Sequence, residues 1–225
     1  MLEVHGLKKR YGRKNVLDNV SFTVQPNTLT CLIGLNGAGK STILKGIMGL
    51  IPLDSGTVLI DGTGSKDAVA YIPDLQTMPG HMTVGDALDY MNDHYADWNG
   101  ETAESLLRTF QLMRTDVITD LSKGNQAKFN LILGFALDRP YLILDEPLAG
   151  IDIFTKEQIA WIFTSEFMEG RGILMTTHEI DEIEHLIDRV IFLQDGRVID
   201  EHDAEEMREL HGKSVQDRMR EVYAR

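Results

Sequence analysis

An apolar run, Leu29-Thr-Cys-Leu-Ile33, leads directly into Gly34-Leu-Asn-Gly-Ala-Gly39-Lys40-Ser41, and a helix-forming segment follows at once. Strand, glycine loop and helix in that order are the context in which G-x-x-x-x-G-K-[ST] has a physical meaning. Chains of this length meet the pattern by accident about once in a hundred. Glycines let the backbone close around an anion with its N–H groups inward, and the helix starting near Ser41 adds the positive end of its dipole. Gly34, Asn36, Gly37, Ala38, Gly39, Lys40, Ser41 and Thr42 are therefore expected to cradle the phosphates of a nucleotide. Lys40 would neutralise the β- and γ-phosphates, and the Ser41 hydroxyl would hold Mg2+.

A second chemical signal is Tyr141-Leu-Ile-Leu-Asp145-Glu146-Pro147. Four apolar residues and then two acids read as a buried strand releasing both carboxylates at its C-terminal edge, where α/β folds bind ligands. Asp145 suits the Mg2+ side and Glu146 a general base for water; the plainer reading is a solvated turn. Local focusing of positive charge matters here, because Lys+Arg 22 against Asp+Glu 35 leaves a net charge of −13. That excludes a stand-alone nucleic-acid binder, which needs a basic stripe to displace counterions. The single cysteine, Cys31, permits no intrachain disulfide and suits a reducing compartment. No window reaches the roughly 18–20 apolar residues of a membrane span, and Met1-Leu-Glu-Val-His lacks the layout of a secretory signal. The expected location is the cytoplasm, with any work at a membrane relying on other chains to cross it.

Alternation and helical periodicity divide the chain. Strands are expected at Leu2–Leu7 and Val16–Val24, bridged by the basic turn Lys8–Lys14, and then at Thr28–Ile33, Thr57–Ile60 and Ala68–Ile72. A helix is expected over Ser41–Leu50. From Thr83 to Ala136 the period becomes about 3.6 (Val84, Leu88, Met91, Tyr95; Leu106, Leu107, Phe110, Met113), which reads as a helical lobe. β/α alternation then returns with strands Tyr141–Leu144 and Gly172–Thr176, helices near Thr155–Met168 and Glu179–Ile187, and the hairpin Val190–Leu193 with Val198–Asp200. From Asp203 onward a charged amphipathic helix is expected. Strands separated by helices imply parallel pairing and an α/β fold. The simplest layout is one domain over 1–225, with a core from about 1–74 and 137–225 and a helical insertion at about 75–136.

Some eighty residues after the glycine loop, Leu121-Ser-Lys-Gly-Asn125 resembles the LSGGQ signature of the ATP-binding subunits of ABC transporters. With the loop and the acidic pair in the family's order, the resemblance covers nearly the whole chain. Ser122 is a good N-cap, and Gly124 leaves N–H groups uncovered, so this helix end reads as a second anion site. The resemblance implies a P-loop NTPase of ABC type: a mainly parallel β core, an antiparallel β subdomain and an inserted α-helical subdomain. It also implies ATP with Mg2+ as ligands and a head-to-tail dimer, homomeric or heteromeric, in which each ATP meets one subunit's loop and the other's signature. Tyr11 matches the aromatic that stacks on adenine, His178 the residue that contacts the γ-phosphate, and Asp152 the loop that crosses the dimer; Asp152 also reads as a helix N-cap. Transmembrane permease subunits are the implied partners, and the inner face of the membrane the implied location.

Two positions depart from the family pattern. Asp74 stands where a metal-touching glutamine is usual, with Gln76 as a substitute if the loop shifts. Lys123 and Asn125 replace glycine and glutamine in the signature. Both departures resemble exporters of drugs, peptides or lipid-linked polymers. The segment after Asp74 would join the helical lobe in receiving the permease, with Met78, Met82 and Leu88 as exposed contacts or, alternatively, lobe core. Competing functions are a soluble ABC-type ATPase not coupled to transport and a small-molecule P-loop kinase; the kinase leaves Leu121–Asn125 and His178 without roles.

Overall fold

The computed structural model describes residues 1–178, 180–181 and 183–224, and the counts below are of those residues. Val20, Phe22 and Val24 alternate as a strand with one buried face requires. They lie in β2 (Lys14–Val24), antiparallel to β1 (Leu2–Tyr11), with Val4 opposite Phe22 and Leu2 opposite Val24. The basic stretch 8–14 is not a loop, because both strands run into it, Tyr11 pairs with Lys14, and Gly12 at φ +58° supplies the turn. β4 (Ser55–Ile60) adds to the other side of β1 and completes a three-stranded antiparallel sheet.

The second sheet has β3 (Leu29–Gly34), β5 (Val69–Ile72), β6 (Tyr141–Asp145), β7 (Gly172–Thr177), β8 (Arg189–Gln194) and β9 (Arg197–Asp203) in the order β5-β6-β7-β3-β8-β9. Its neighbours are parallel except β9, which turns back antiparallel on β8. Strands covered on both faces need continuous apolar runs. Accordingly, Leu32, Ile143 and Leu174 pack with Leu2, Val20 and Ile43 on one face, and Cys31, Ile33, Leu142 and Leu144 pack with Phe129, Phe135 and Ile159 on the other. Each such side chain contributes about 1.5–3 kcal/mol by leaving water.

Helices α1 (Lys40–Ile47), α2 (Val84–His94), α3 (Gly100–Thr109), α4 (Lys123–Phe135), α5 (Ile153–Ile162), α6 (Ala204–His211) and α7 (Val215–Tyr223) complete the chain. The insertion buries Leu88, Met91, Leu106, Leu107, Phe110 and Phe129, as its period of about 3.6 requires. Met113 does not join them: α3 has already ended, and the side chain is exposed. Met78 and Met82 pack against this core and Leu88 is buried in it, so they are not an exposed docking patch; Leu75, in the loop before them, is exposed. Two contacts tie the insertion to the core: Asp138 N donates to Asp97 O at 2.8 Å, and Arg139 bonds both Asp97 (2.6 Å) and Val69 O of the sheet (2.8 Å).

Three expected helices end differently. α5 stops at Ile162, where the Thr164 and Ser165 hydroxyls fold back on the carbonyls of Trp161 and Ile162, and a 3-10 turn follows at Glu166–Met168. Of the helix expected over Glu179–Ile187, Glu179 and Glu182 lie outside the described residues; the remainder contains a 3-10 turn at Glu184–Leu186. The C-terminal helix is two helices, because Gly212 at φ +60° ends α6 and Ser214 with Asp217 forms a capping box that starts α7. Among the described residues no helix is long and apolar enough to cross a membrane.

Candidate active site

The strand order places the C-terminal ends of β3, β7 and β6 side by side, with Ile33 opposite Thr177 and Asp145 opposite Thr176. The glycine loop leaves the first of these edges. Gly39, the residue before α1, has φ +113°, and a Cβ there would stand 3.0 Å from Val16 O and 2.9 Å from Leu17 Cδ2, so glycine is required. α1 has no side-chain cap, whereas α2 to α7 are capped by Thr83, Asn99, Ser122, Asp152, Asp203 and Ser214. Among the described residues the N–H groups of Gly37, Gly39, Lys40 and Ser41 have no protein acceptor, which leaves this helix end open to an anion.

Beside it is a cavity of about 380 Å³ lined by Tyr11, Lys14, Asn36, Gly37, Gly39, Lys40, Ser41, Thr42 and Glu146. Ala38 and Gly34 are not part of that lining. The Ala38 N–H closes the loop's own turn on Leu35 O, its side chain joins the core, and Gly34 O accepts the Lys40 ammonium at 2.7 Å.

Asp145 ends β6 and is 2% exposed. Its Oδ1 accepts from Thr176 Oγ1 at 2.7 Å and from Ser41 Oγ at 3.2 Å. A hydroxyl and a carboxylate beside a phosphate-type cradle are a hard-oxygen donor set, which fits Mg2+. Glu146 is held at φ +48°, a left-handed backbone that costs on the order of 1–3 kcal/mol outside glycine. The β6–β7 pairing holds it there, because its N–H bonds both Thr176 O (3.1 Å) and Thr176 Oγ1 (3.0 Å). Its side chain then spans the cavity edge, with Oε1 3.3 Å from Lys40 Nζ and Oε2 2.8 Å from His178 Nδ1. An ionised carboxylate only accepts, so the ring proton in that contact belongs on Nδ1.

Asp74 is exposed and does not line the phosphate-type cavity. It borders a separate cavity of about 270 Å³ with Gln76, Lys123, Asn130 and the other side of Glu146. Gln76 is occupied within its own loop, where its Oε1 accepts from Thr77 N (2.8 Å) and Met78 N (3.0 Å). Ser122 caps α4 and accepts from Asn125 N at 3.3 Å. Gly124 is a close-approach residue: a Cβ would meet Thr155 Oγ1 at 3.0 Å. Asp152 caps α5 through Thr155 N (3.0 Å) and Thr155 Oγ1 (2.7 Å), and these bonds hold its carboxyl below the usual range. Within one chain, Ser122, Gly124 and Asp152 thus lie outside the cavity that holds Tyr11, Lys40, Ser41 and Glu146. One site residue escaped the sequence reading: Thr176, which braces both acids. A hydroxyl inside a strand leaves no local signature.

The ABC transporter family profile matches residues 17–149. The ABC transporter ATP-binding protein YtrB of Bacillus subtilis is 30% identical over 216 residues, covering 93% of this chain and 74% of that protein. Nod factor export ATP-binding protein I of Sinorhizobium fredii is 30% identical over 210 residues, covering 88% of this chain and 61% of that protein. A solved structure of an ATP-binding subunit of an ABC transporter superimposes with TM-score 0.87 at 30% identity, covering 99% of both chains. An open helix end with a buried lysine, a strand-end acid pair and this likeness along nearly its whole length place the chain in the ABC transporter family, among its ATP-binding subunits.

Proposed function

We propose that the chain binds Mg2+ and ATP in the cavity beside α1 and hydrolyses the ATP to ADP and phosphate, driving export through separate transmembrane subunits. The observation that carries this reading is Glu146, whose carboxylate bridges Lys40 and His178 at the lip of an uncapped helix. Lys40 and the N–H groups of Gly37, Gly39 and Ser41 bind the phosphates, and Tyr11, half-exposed at the cavity rim, stacks on the base. Ser41 and Asp145 hold Mg2+, which supplies charge neutralisation on the phosphates when bound. Phosphate binding by Lys40 draws its ammonium from Glu146, leaving that carboxylate to His178 and to a water. Glu146 takes the water's proton as the oxygen attacks the terminal phosphorus, and His178 orients Glu146 from the far side.

Ser122 and Asp152 have no place in that cavity, which supports a second ATP-binding subunit, laid head to tail, whose helix end completes the site. The insertion, about 75–136, would take up the permease contact at the inner face of the membrane, with exposed Leu75 as one contact. The Nod factor export relative supports the outward direction. Glu146→Gln tests the chemistry. ATP binding should persist while phosphate release from ATP slows about 10²–10⁴-fold, the scale of a lost general base; an unchanged rate would remove Glu146 from that role.

A further inference from the structure

The glycine loop can turn its N–H groups to an anion only while its carbonyls are held elsewhere. Ala38 N donates to Leu35 O (3.0 Å), Lys40 Nζ to Gly34 O (2.7 Å) and Ile43 N to Gly39 O (2.9 Å), and Gly196 N, in the turn between β8 and β9, donates to Ala38 O at 3.1 Å. The strand end that feeds the loop is held from much further along the chain. Tyr223, in the last turn of α7, directs its hydroxyl to Ile33 O at 2.9 Å and Leu193 O at 3.0 Å. These carbonyls flank Gly34: Ile33 precedes it, and Leu193 is its partner on β8, so close that a Cβ at Gly34 would stand 2.8 Å from Leu193 O. The phenol has one proton, which the two acceptors share in a three-centre bond. Burial pushes this phenol up to about 12, so it stays a neutral donor. Its ring packs edge-on against Phe192, with centroids 6.2 Å apart. The start of α7 is fixed beside the segment that follows His178, because Val215 N donates to Glu184 Oε1 at 2.7 Å and Gln216 bonds Asp181. α7 thus runs from the chain just past His178 to the root of the loop, on the sheet face opposite α1.

We infer that Tyr223 is a positioning residue for the nucleotide, holding the root of the glycine loop through the carbonyls on either side of Gly34; this rests on the nucleotide reading above. A buried carbonyl deprived of its donor turns toward another, and the uncommitted N–H groups next along the chain are those of the loop. Each one captured is lost to the phosphates. The link also acts in reverse, since coupling between a site and a distant element is reciprocal. Phosphates that order the loop fix Ile33 O, and with it Tyr223 on its acceptors.

The test is calorimetric titration of the full chain with Mg2+ and ADP, at a temperature where wild type and Tyr223→Phe are both folded. Phenylalanine keeps the ring on Phe192 and removes the donor. Affinity for ADP should fall about 5–10-fold, the scale of one hydrogen bond. Tyr141→Phe is the comparison. It also loses a tyrosine hydrogen bond, to Asp61 at 2.9 Å, but at the start of β6, the opposite end from Asp145. It should lower the melting temperature as Tyr223→Phe does and leave ADP affinity within about twofold of wild type. Equal ADP affinity in wild type and Tyr223→Phe, or an equal loss in both variants, overturns the role of Tyr223 and leaves the nucleotide site standing. No ADP binding by wild type overturns the site itself and the inference with it. Should Tyr223→Phe not fold, hydrogen exchange of wild type decides. The amides of Val215–Tyr223 should exchange about fivefold more slowly with ADP bound, and an unchanged rate contradicts the link.

Discussion

Glu146 is held by three independent contacts: a left-handed backbone tied twice to Thr176, an ammonium on one oxygen and an imidazole on the other. Thr176 is the brace that the two acids share. Thr176→Val keeps the shape, removes the hydroxyl from Asp145 and Glu146 together, and should lower kcat about 10–100-fold; a rate within twofold of wild type in steady-state assays would show that the strand pairing alone suffices. Lys40→Ala should weaken ATP binding about 10–100-fold, the loss expected from one charge-assisted contact of roughly 1.5–3 kcal/mol, as measured by equilibrium nucleotide binding. The glycine loop and the acid pair were legible because each is contiguous in sequence and chemically unusual. Thr176 was not, since a hydroxyl on a strand becomes a site residue only through the register with its neighbour. Asp74 and Gln76 are the reverse case: family position suggests a metal contact, whereas in the structure Asp74 borders the neighbouring cavity and Gln76 bonds within its own loop.

At the level of elements, the α4–α5 junction joins the signature to the loop after the acid pair. Gly124→Val would drive a side chain into Thr155, the residue that Asp152 caps. The expected cost is about 1–3 kcal/mol of stability, seen as a lower melting temperature, with no loss if α4 can slide. The insertion's tie to the sheet has its own pH signature. Arg139 holds the Asp97 carboxyl below its ordinary 3.8. A carboxyl lowered in the folded state contributes fully above its unfolded value and loses that contribution as pH falls through the folded one. Melting temperatures of wild type and Asp97→Asn should therefore differ at neutral pH and converge in acid, once the pH has fallen below the lowered folded-state value; a constant gap would contradict the pairing. Periodicity identified the lobe helices and their buried faces. It missed the break at Gly212, because the polar and apolar stripes run on through it and only the glycine and the Ser214–Asp217 box mark the end.

For the molecule as a whole, alternation announced a parallel α/β core, but not that β3 sits between β7 and β8, which depends on pairings more than 100 residues apart in sequence. That order brings the glycine loop beside the acid pair while Ser122 and Asp152 stay outside the phosphate cavity. On the proposed reading a chain built this way carries two partial phosphate sites and a net charge of −13 opposing self-association, so nucleotide has to supply the attraction. Light scattering of Glu146→Gln, with and without Mg2+ and ATP, weighs that proposal. The mass should double from the 25.3 kDa of one chain when both are added and return to it in EDTA; a solution that stays at one chain's mass with the site saturated would contradict a shared pocket.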